Sequence, residues 1–250
     1  TSRMFPILLG KNKWNGVGYA VLDRCGFLEF EEIDLWYKVR GAVAEHFVYE
    51  YLDTMYKKAG INISMKQFTT KSSGYDNFKN NPKFGGVIDI GISAPTNQRA
   101  VVEVKSKNVK LKEIFLKNKE KWEEEIMQGK QLSALSHVKK LLMGYVFFTN
   151  KQEDLIKKTI HQIDDKDDFD VPTYVNNIGM KLEFIDVQIV KFDIDEEEVL
   201  RDMEKAYDNL HRIAKGNIIH KSHFNQKEKE YLDSILRKKN GITEYNDTPF

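Results

Sequence analysis

Cysteine is nearly absent from this chain, which has 250 residues and a single thiol at Cys25. One thiol excludes a disulfide framework, and it excludes any zinc or iron–sulfur site that takes four cysteines from this chain. The sequence therefore predicts a reducing, intracellular (cytoplasmic) setting and no iron–sulfur cluster.

The sequence also lacks an excess of one charge and a long apolar run. Lys and Arg total 39 against 38 Asp and Glu, which leaves a formal net charge of +1. This balance gives no general attraction to nucleic acid, so any such contact has to come from a local patch. No run approaches the roughly 20 apolar residues that span a bilayer, so we expect no membrane partner.

What is present is enough apolar material for one sizeable core. Apolar residues make up 41% of the chain and aromatic residues 12%. We expect one main domain over 1–195, including the N-terminal segment, and a helical extension over 196–250 that packs on or beside it.

Hydrophobic periodicity and turn-forming residues predict the elements of the middle of the chain. In order, these are a helix over 34–60, strands over 63–70, 85–93 and 99–106, a helix over 119–137 and a strand over 141–149. This order predicts an α/β fold, in which helices flank a mixed central sheet. A further strand is predicted over 182–192, and helices over 196–214 and 225–238.

The strands over 85–93 and 99–106 are separated by a turn-prone segment and predict a hairpin. If they pair symmetrically about residue 96, Asp89 lies opposite Glu103. Cβ atoms so placed are roughly 4.5–5.5 Å apart, and like charges there repel, which favours a cation between them. Lys105 lies on the same strand face as Glu103.

An acidic pair beside a lysine has two interpretations. Mg²⁺ takes a few carboxylates and keeps waters, which leaves room for a phosphate and an attacking water that Lys105 would orient or deprotonate. Lys105 would alternatively neutralise charge that develops on the phosphate. From spacing alone, a solvated strand face with one ion pair remains equally open.

Three motifs carry a resemblance to a known group of enzymes. Asp89 followed by Glu103-Val104-Lys105 resembles the D…(D/E)xK signature of the PD-(D/E)xK nuclease superfamily, whose core runs α-β-β-β-α-β. Gly41-Ala-Val-Ala-Glu45 resembles the GxxxE of the first helix in phage lambda exonuclease, YqaJ-type recombinases and RecB-type nuclease domains. Gln128, with Gln131 a turn later, resembles the glutamine-bearing helix of the same group. Ile88 stands where the signature has proline, and the resemblance covers roughly residues 35–150.

The resemblance implies a Mg²⁺- or Mn²⁺-dependent DNA phosphodiesterase, in particular an exonuclease of the phage or recombination type acting in the host cytoplasm. The implied metal ligands are Asp89, Glu103, the backbone carbonyl of Val104 and Glu45. Lys105 would act on the water, and Gln128 would be an outer member of the catalytic site. The expected partners are double- or single-stranded DNA, and a second copy of the chain or a recombination or replication protein.

Two alternatives stay open. One is a restriction or repair endonuclease with the same core, and the other is a catalytically silent DNA-binding or assembly module, since a fold does not by itself specify chemistry.

A lysine-rich stretch follows the hairpin and contains Phe115 and Trp122. Such a stretch suits a phosphate backbone and stacking of single-stranded bases, although a solvated loop has the same composition. The expected nucleic-acid contacts are Lys107, Lys110, Lys112 and Gln131.

Overall fold

The structure is a computed structural model of the chain. It describes residues 4–11, 19–20, 34–67, 86–96, 98–117, 120–163, 169–214, 226, 229–230 and 233. The chain divides into two compact units, one made of Thr1–Ser2 and Glu31–Arg201 and the other of Arg3–Phe30 and Asp202–Phe250. The expected division into 1–195 and 196–250 stays a prediction.

The first unit is a mixed α/β structure built on one five-stranded sheet, which confirms the predicted fold class at that level. Its strands are β1 (Ser64–Gln67), β2 (Ile90–Ser93), β3 (Arg99–Asn108), β4 (Lys140–Phe148) and β5 (Asp186–Asp193). They lie in the order β1-β2-β3-β4-β5. β3 and β4 are parallel and the other neighbouring pairs are antiparallel.

Seven α-helices occur in the part of the chain that the structure describes. They are α1 (Met4–Leu8), α2 (Leu35–Lys58), α3 (Lys112–Lys117), α4 (Glu120–Leu135), α5 (Asn150–Thr159), α6 (Val171–Asn177) and α7 (Glu196–Ala214). None of the described helices is long and apolar enough to cross a membrane. In the second unit, Asn209 Nδ2 on α7 donates a hydrogen bond to the Leu8 carbonyl of α1 at 3.2 Å.

The long helix α2 confirms the helix predicted over 34–60. Its apolar positions recur every three or four residues, and they are buried at Val39, Val43, Ala44, Phe47, Val48 and Leu52. Asp34 occupies the N-cap position, but its side chain makes no capping hydrogen bond. Gly60 just beyond the helix has φ +67°, the left-handed conformation that favours glycine at a helix end.

The predicted hairpin register is confirmed. Ile90 pairs with Val102, Gly91 with Val101 and Ser93 with Arg99, so each pair of residue numbers sums to 192. The strand expected over 85–93 is shorter in the structure, since β2 begins at Ile90. Asp89 therefore lies just outside the ladder, next to the Ile90–Val102 pair.

The two faces of the sheet are covered by different helices. A Cβ added at Gly144 of β4 would lie 2.9 Å from the Val48 methyls of α2, whereas one at Gly129 of α4 would lie 2.8 Å from Leu141 Cδ1 of β4. Side chains alternate along a strand. Even-numbered positions of β4 therefore face α2, odd-numbered positions face α4, and we call these the α2 face and the α4 face.

Some elements differ from the expectations. The strand predicted over 182–192 begins at Asp186, because Leu182–Phe184 forms a 3-10 turn. The short helices α1, α3, α5 and α6 were not predicted. The expected strand over 63–70 is present as β1, and residues 68–70 lie outside the described part. Of the helix predicted over 225–238, four residues are described and all are helical.

Candidate active site

Asp89 is tied to β3 by its carboxylate. Its Oδ2 accepts a hydrogen bond from the Val104 backbone N–H at 2.6 Å. Because the N–H and C=O of one strand residue point to the same edge, the Val104 carbonyl also points to the side of Asp89. Because β2 begins only at Ile90, the Val104 N–H bonds to the Asp89 carboxylate instead of to the backbone of a neighbouring strand.

Glu103 and Lys105 form an ion pair inside the fold. Lys105 Nζ donates to Glu103 Oε1 at 2.6 Å and to Gln128 Oε1 of α4 at 3.1 Å. Glu103 is only 6% exposed, and its second oxygen, Oε2, is buried with no hydrogen-bond partner among the described residues. A buried polar atom without a partner costs about 1–3 kcal/mol, and more when it is charged. Glu103 therefore presents an unsatisfied negative oxygen beside Asp89.

The carboxylates of Asp89 and Glu103 repel each other, and a further cation would relieve that repulsion. Burial, the Glu103 charge and the Glu45 charge raise the pKa of Asp89 well above its usual range, although Lys105 and the Val104 N–H act the other way. Burial lowers the pKa of Lys105, but the charges of Glu103 and Asp89 outweigh that effect and leave it raised. Ionised Asp89 is therefore disfavoured in this cluster, and a bound cation would favour it.

Glu45 lies on α2 and is half-buried. It interacts with Asp89 electrostatically, as the pKa of that residue shows. An added Cβ at Gly41, one turn earlier, would meet no atom of the described residues within 4 Å. Packing against the described part of the chain therefore does not require glycine there.

The expected DNA-binding lysines are largely paired with carboxylates. Lys107 forms an ion pair with Glu125 of α4, and Lys112 forms one with Asp186 of β5. Lys110 is exposed, and its backbone N–H donates to Asn108 Oδ1 at 3.0 Å. A bound phosphate would therefore have to compete with Glu125 and Asp186 for two of these three lysines.

The expectation that Phe115 offers a stacking surface for bases is wrong. Phe115 is 5% exposed, and its ring centroid lies 4.9 Å from that of Tyr145. The unpredicted helix α3 turns this ring into the core on the α4 face. The side chain of Trp122, the other aromatic residue of that stretch, lies outside the described part.

Gln131 is also buried. It is 1% exposed, and its Oε1 has no hydrogen-bond partner among the described residues. A side chain this deep does not reach a bound strand directly, so this geometry does not support the expected contact with DNA. Gln128, one turn earlier, does reach the cluster through Lys105.

Two further residues belong to this cluster and were missed in the sequence. Glu125 lies three residues before Gln128 and shares its helix face, and its Oε2 is buried without a hydrogen-bond partner in the described part. Tyr145 is the register partner of Lys105 on β4. Burial and the charges of Glu125 and Glu103 raise the pKa of Tyr145. Helical spacing from Gln128 was the available signal for Glu125.

The donor set suits a hard divalent cation. Mg²⁺ is bound by one or two carboxylates, with water and substrate oxygens completing its shell. Asp89 and Glu103 meet that number, and the unpartnered Glu103 Oε2 is an oxygen that a cation would satisfy. Within the described residues, no group of three or more His, Cys, Asp or Glu side chains is arranged to hold a metal.

No family model, curated protein or solved structure matches the chain. Function is therefore inferred from the chemistry of the site.

Proposed function

We propose that this chain is a Mg²⁺- or Mn²⁺-dependent deoxyribonuclease, an exonuclease of the phage or recombination type. The observation that carries the proposal is the buried, unpartnered Glu103 Oε2 next to Asp89, with Lys105 held on the same sheet face. The order α2-β1-β2-β3-α3-α4-β4 supports it. Apart from the additional short helix α3, it parallels the α-β-β-β-α-β core of the PD-(D/E)xK nucleases that the sequence resembles.

The residues of the cluster have separate roles in this proposal. Asp89, Glu103 and the Val104 carbonyl would hold the cation, with Glu45 nearby on α2. The bound cation would supply charge stabilisation at the phosphate and a water of lowered pKa. Lys105 donates to Glu103 and Gln128 at once, which fixes its ammonium in place. A fixed cation beside the scissile phosphate stabilises the charge that develops on its oxygens.

The exonuclease assignment rests on Gly41–Glu45 and Gln128, which resemble exonucleases and recombination nucleases more than restriction enzymes. The net charge of +1 points the same way. Capture of internal duplex benefits from a broad positive surface, whereas a threaded end needs only a local one.

A single set of incubations tests both parts of the proposal, namely metal-dependent cleavage of DNA and cleavage from a DNA end. End-labelled linear duplex, single-stranded DNA and covalently closed circular DNA are each incubated with Mg²⁺, Mn²⁺ or EDTA at matched salt. We expect progressive loss of the linear substrates with metal, slow or no loss of the closed circle, and no cleavage in EDTA. Discrete bands from the closed circle would favour the restriction or repair-type endonuclease.

A catalytically silent DNA-binding or assembly module is the second candidate. The ion pair between Lys105 and Glu103 favours it, because the lysine already neutralises one of the two carboxylates that would hold the cation. Binding of all three DNA forms without cleavage under any metal condition would establish this candidate and exclude the enzyme.

A further inference from the structure

A cleft lies on the α4 face of the sheet. The strand register places Ser64 beside Ser93, and Ser93 beside Arg99, across β1, β2 and β3. Side chains directly opposite one another on neighbouring strands point to the same face. Two hydroxyls and one guanidinium therefore form a row, and all three line a cleft of about 340 Å³.

The cleft carries a positive charge that no carboxylate among its described lining residues neutralises. This distinguishes it from the paired lysines near Asp89, Glu103 and Lys105, which we call the catalytic cluster. Among the described residues that line it, Arg99 is the one charged side chain, and no carboxylate is present. Arg99 is also exposed. Lys107 and Lys112 are paired with carboxylates, whereas the other described residues that line the cleft of Arg99 carry hydroxyls or are apolar.

The cleft is aligned with the catalytic cluster along β3. Arg99, Val101 and Glu103 alternate onto one face, and four residues of strand correspond to about 13 Å between Arg99 and Glu103. Between Ser93 and Asp89 on this face lies Gly91 of β2, which has no side chain and is partly exposed. Its register partner Val101 on β3 is buried, so a bound strand would pass over β2. A span of about 13 Å equals roughly four axial steps of 3.4 Å in a duplex.

We propose that Arg99, with the hydroxyls of Ser64 and Ser93, binds a backbone phosphate of the substrate strand a few nucleotides from the scissile phosphate. The identity of this ligand rests on the proposed function. A guanidinium is suited to the task because its planar N–H groups match two phosphate oxygens. Arg99 is thus a positioning residue that holds the strand over β2, so that a phosphate lies at Asp89 and Glu103.

The first test measures DNA binding in EDTA, where cleavage does not occur. Fluorescence anisotropy of a labelled oligonucleotide of about 20 nucleotides, single-stranded or duplex, is followed at several salt concentrations. The variants are Arg99→Gln, Arg99→Lys and the matched control Lys191→Gln, which removes one exposed positive charge from β5.

We expect Arg99→Gln to weaken binding about tenfold and to lower the slope of log affinity against log salt by about 0.7–0.9, the contribution of one phosphate contact. Arg99→Lys should keep the slope and part of the affinity. Lys191→Gln should match wild type. Equal behaviour of Arg99→Gln and Lys191→Gln, or a wild-type protein that binds neither DNA form, would overturn the site.

The second test separates positioning from catalysis. The p-nitrophenyl ester of thymidine 5′-phosphate has no strand that reaches Arg99, so with Mn²⁺ Arg99→Gln should cleave it at the wild-type rate while kcat/KM for long DNA falls about tenfold. An equal loss on both substrates would contradict a positioning role. Wild-type protein that binds DNA through Arg99 yet cleaves nothing would refute the proposed function and leave this site standing.

Discussion

The face of the sheet that packs against α2 is lined with apolar side chains, whereas the face towards α4 carries charged and amide groups within the fold. On the α2 face, Ile90, Val102 and Val146 join Phe47 and Val48 in one buried cluster. On the α4 face, Glu103, Lys105, Lys107, Glu125 and Gln128 form ion pairs and hydrogen bonds. The same strands supply both faces, because successive side chains point in opposite directions. One sheet can therefore combine a stabilising core with a polar cluster that is costly to bury.

The largest difference between the faces should appear in cleavage. Asp89→Asn, Glu103→Gln and Lys105→Ala should each lower the rate by about 10²–10³ or more, because each removes a metal ligand or the cation at the phosphate. Circular dichroism should show that all three remain folded. Asp193→Asn, which removes an exposed carboxylate of β5, is the control and should cleave as wild type does. Cleavage by Lys105→Ala at the wild-type rate would refute its role.

The second prediction concerns the metal. A cation that relieves the repulsion between Asp89 and Glu103 stabilises the folded state, by about 2.7 kcal/mol when its concentration is 100 times the Kd. Mn²⁺ should therefore raise the Tm of wild type and of Asp193→Asn, and raise that of Asp89→Asn much less. Equal shifts in all three proteins, measured by differential scanning fluorimetry, would place the metal elsewhere.

The third prediction contrasts packing on the two faces. An alanine at position 144 would place its Cβ 2.9 Å from both methyls of Val48, a β-branched side chain with little rotamer freedom in a helix. Gly144→Ala should therefore destabilise the protein by about 1–3 kcal/mol. Gly129→Ala should cost less, because its Cβ would meet the flexible ends of Leu141 and Met143, and alanine also favours the helix.

Urea denaturation measures both effects. The double variant Gly144→Ala/Val48→Ala should be more stable than the sum of the single changes implies, because the second change removes the clash. Strict additivity would mean that the close approach of α2 to β4 does not limit packing.

The smallest expected effect concerns the cap of α6, a helix that contacts α2. Asp170 accepts hydrogen bonds from the Thr173 hydroxyl and backbone N–H, which lower the pKa of its carboxyl, and the His46 charge adds a smaller effect in the same direction. A lowered folded-state pKa stabilises the protein above the usual aspartate pKa, and that stabilisation is lost as the pH falls through the folded value. The Tm difference between wild type and Asp170→Asn should therefore be larger at pH 7 than at about pH 3. A difference that does not change with pH would contradict this role of the charge.

Much of the local architecture was predictable from the sequence. The hairpin register followed from a short turn and from side-chain alternation, and the structure confirms it from Ile90↔Val102 to Ser93↔Arg99. Alternation alone also placed Glu103 and Lys105 on one face, where they form the ion pair. The helix α2 was predictable because its apolar positions repeat over most of its 24 residues.

Other features depend on packing between distant elements. Lys107 meets Glu125, Lys112 meets Asp186 and Phe115 turns into the core only because α3 and α4 cross over the sheet between the parallel strands β3 and β4. The periodicity of a sequence does not predict such contacts between distant elements. The helix α5 was missed although its capping box, formed by Thr149 and Gln152, was present in the sequence as a start signal.

The sequence by itself determined which residues share a strand or helix face, because these relations follow from the fixed geometry of a strand and a helix. It thereby determined the hairpin register from Ile90↔Val102 to Ser93↔Arg99 and the place of Lys105 on the same strand face as Glu103. Only the tertiary structure decided that Glu103 is buried and that Gln128 holds Lys105. It also decided that, among the described residues, Glu103 Oε2 has no partner and the cleft of Arg99 contains no carboxylate. Burial and charge pairing depend on which surfaces meet in space, and that is settled when α4 packs on the sheet.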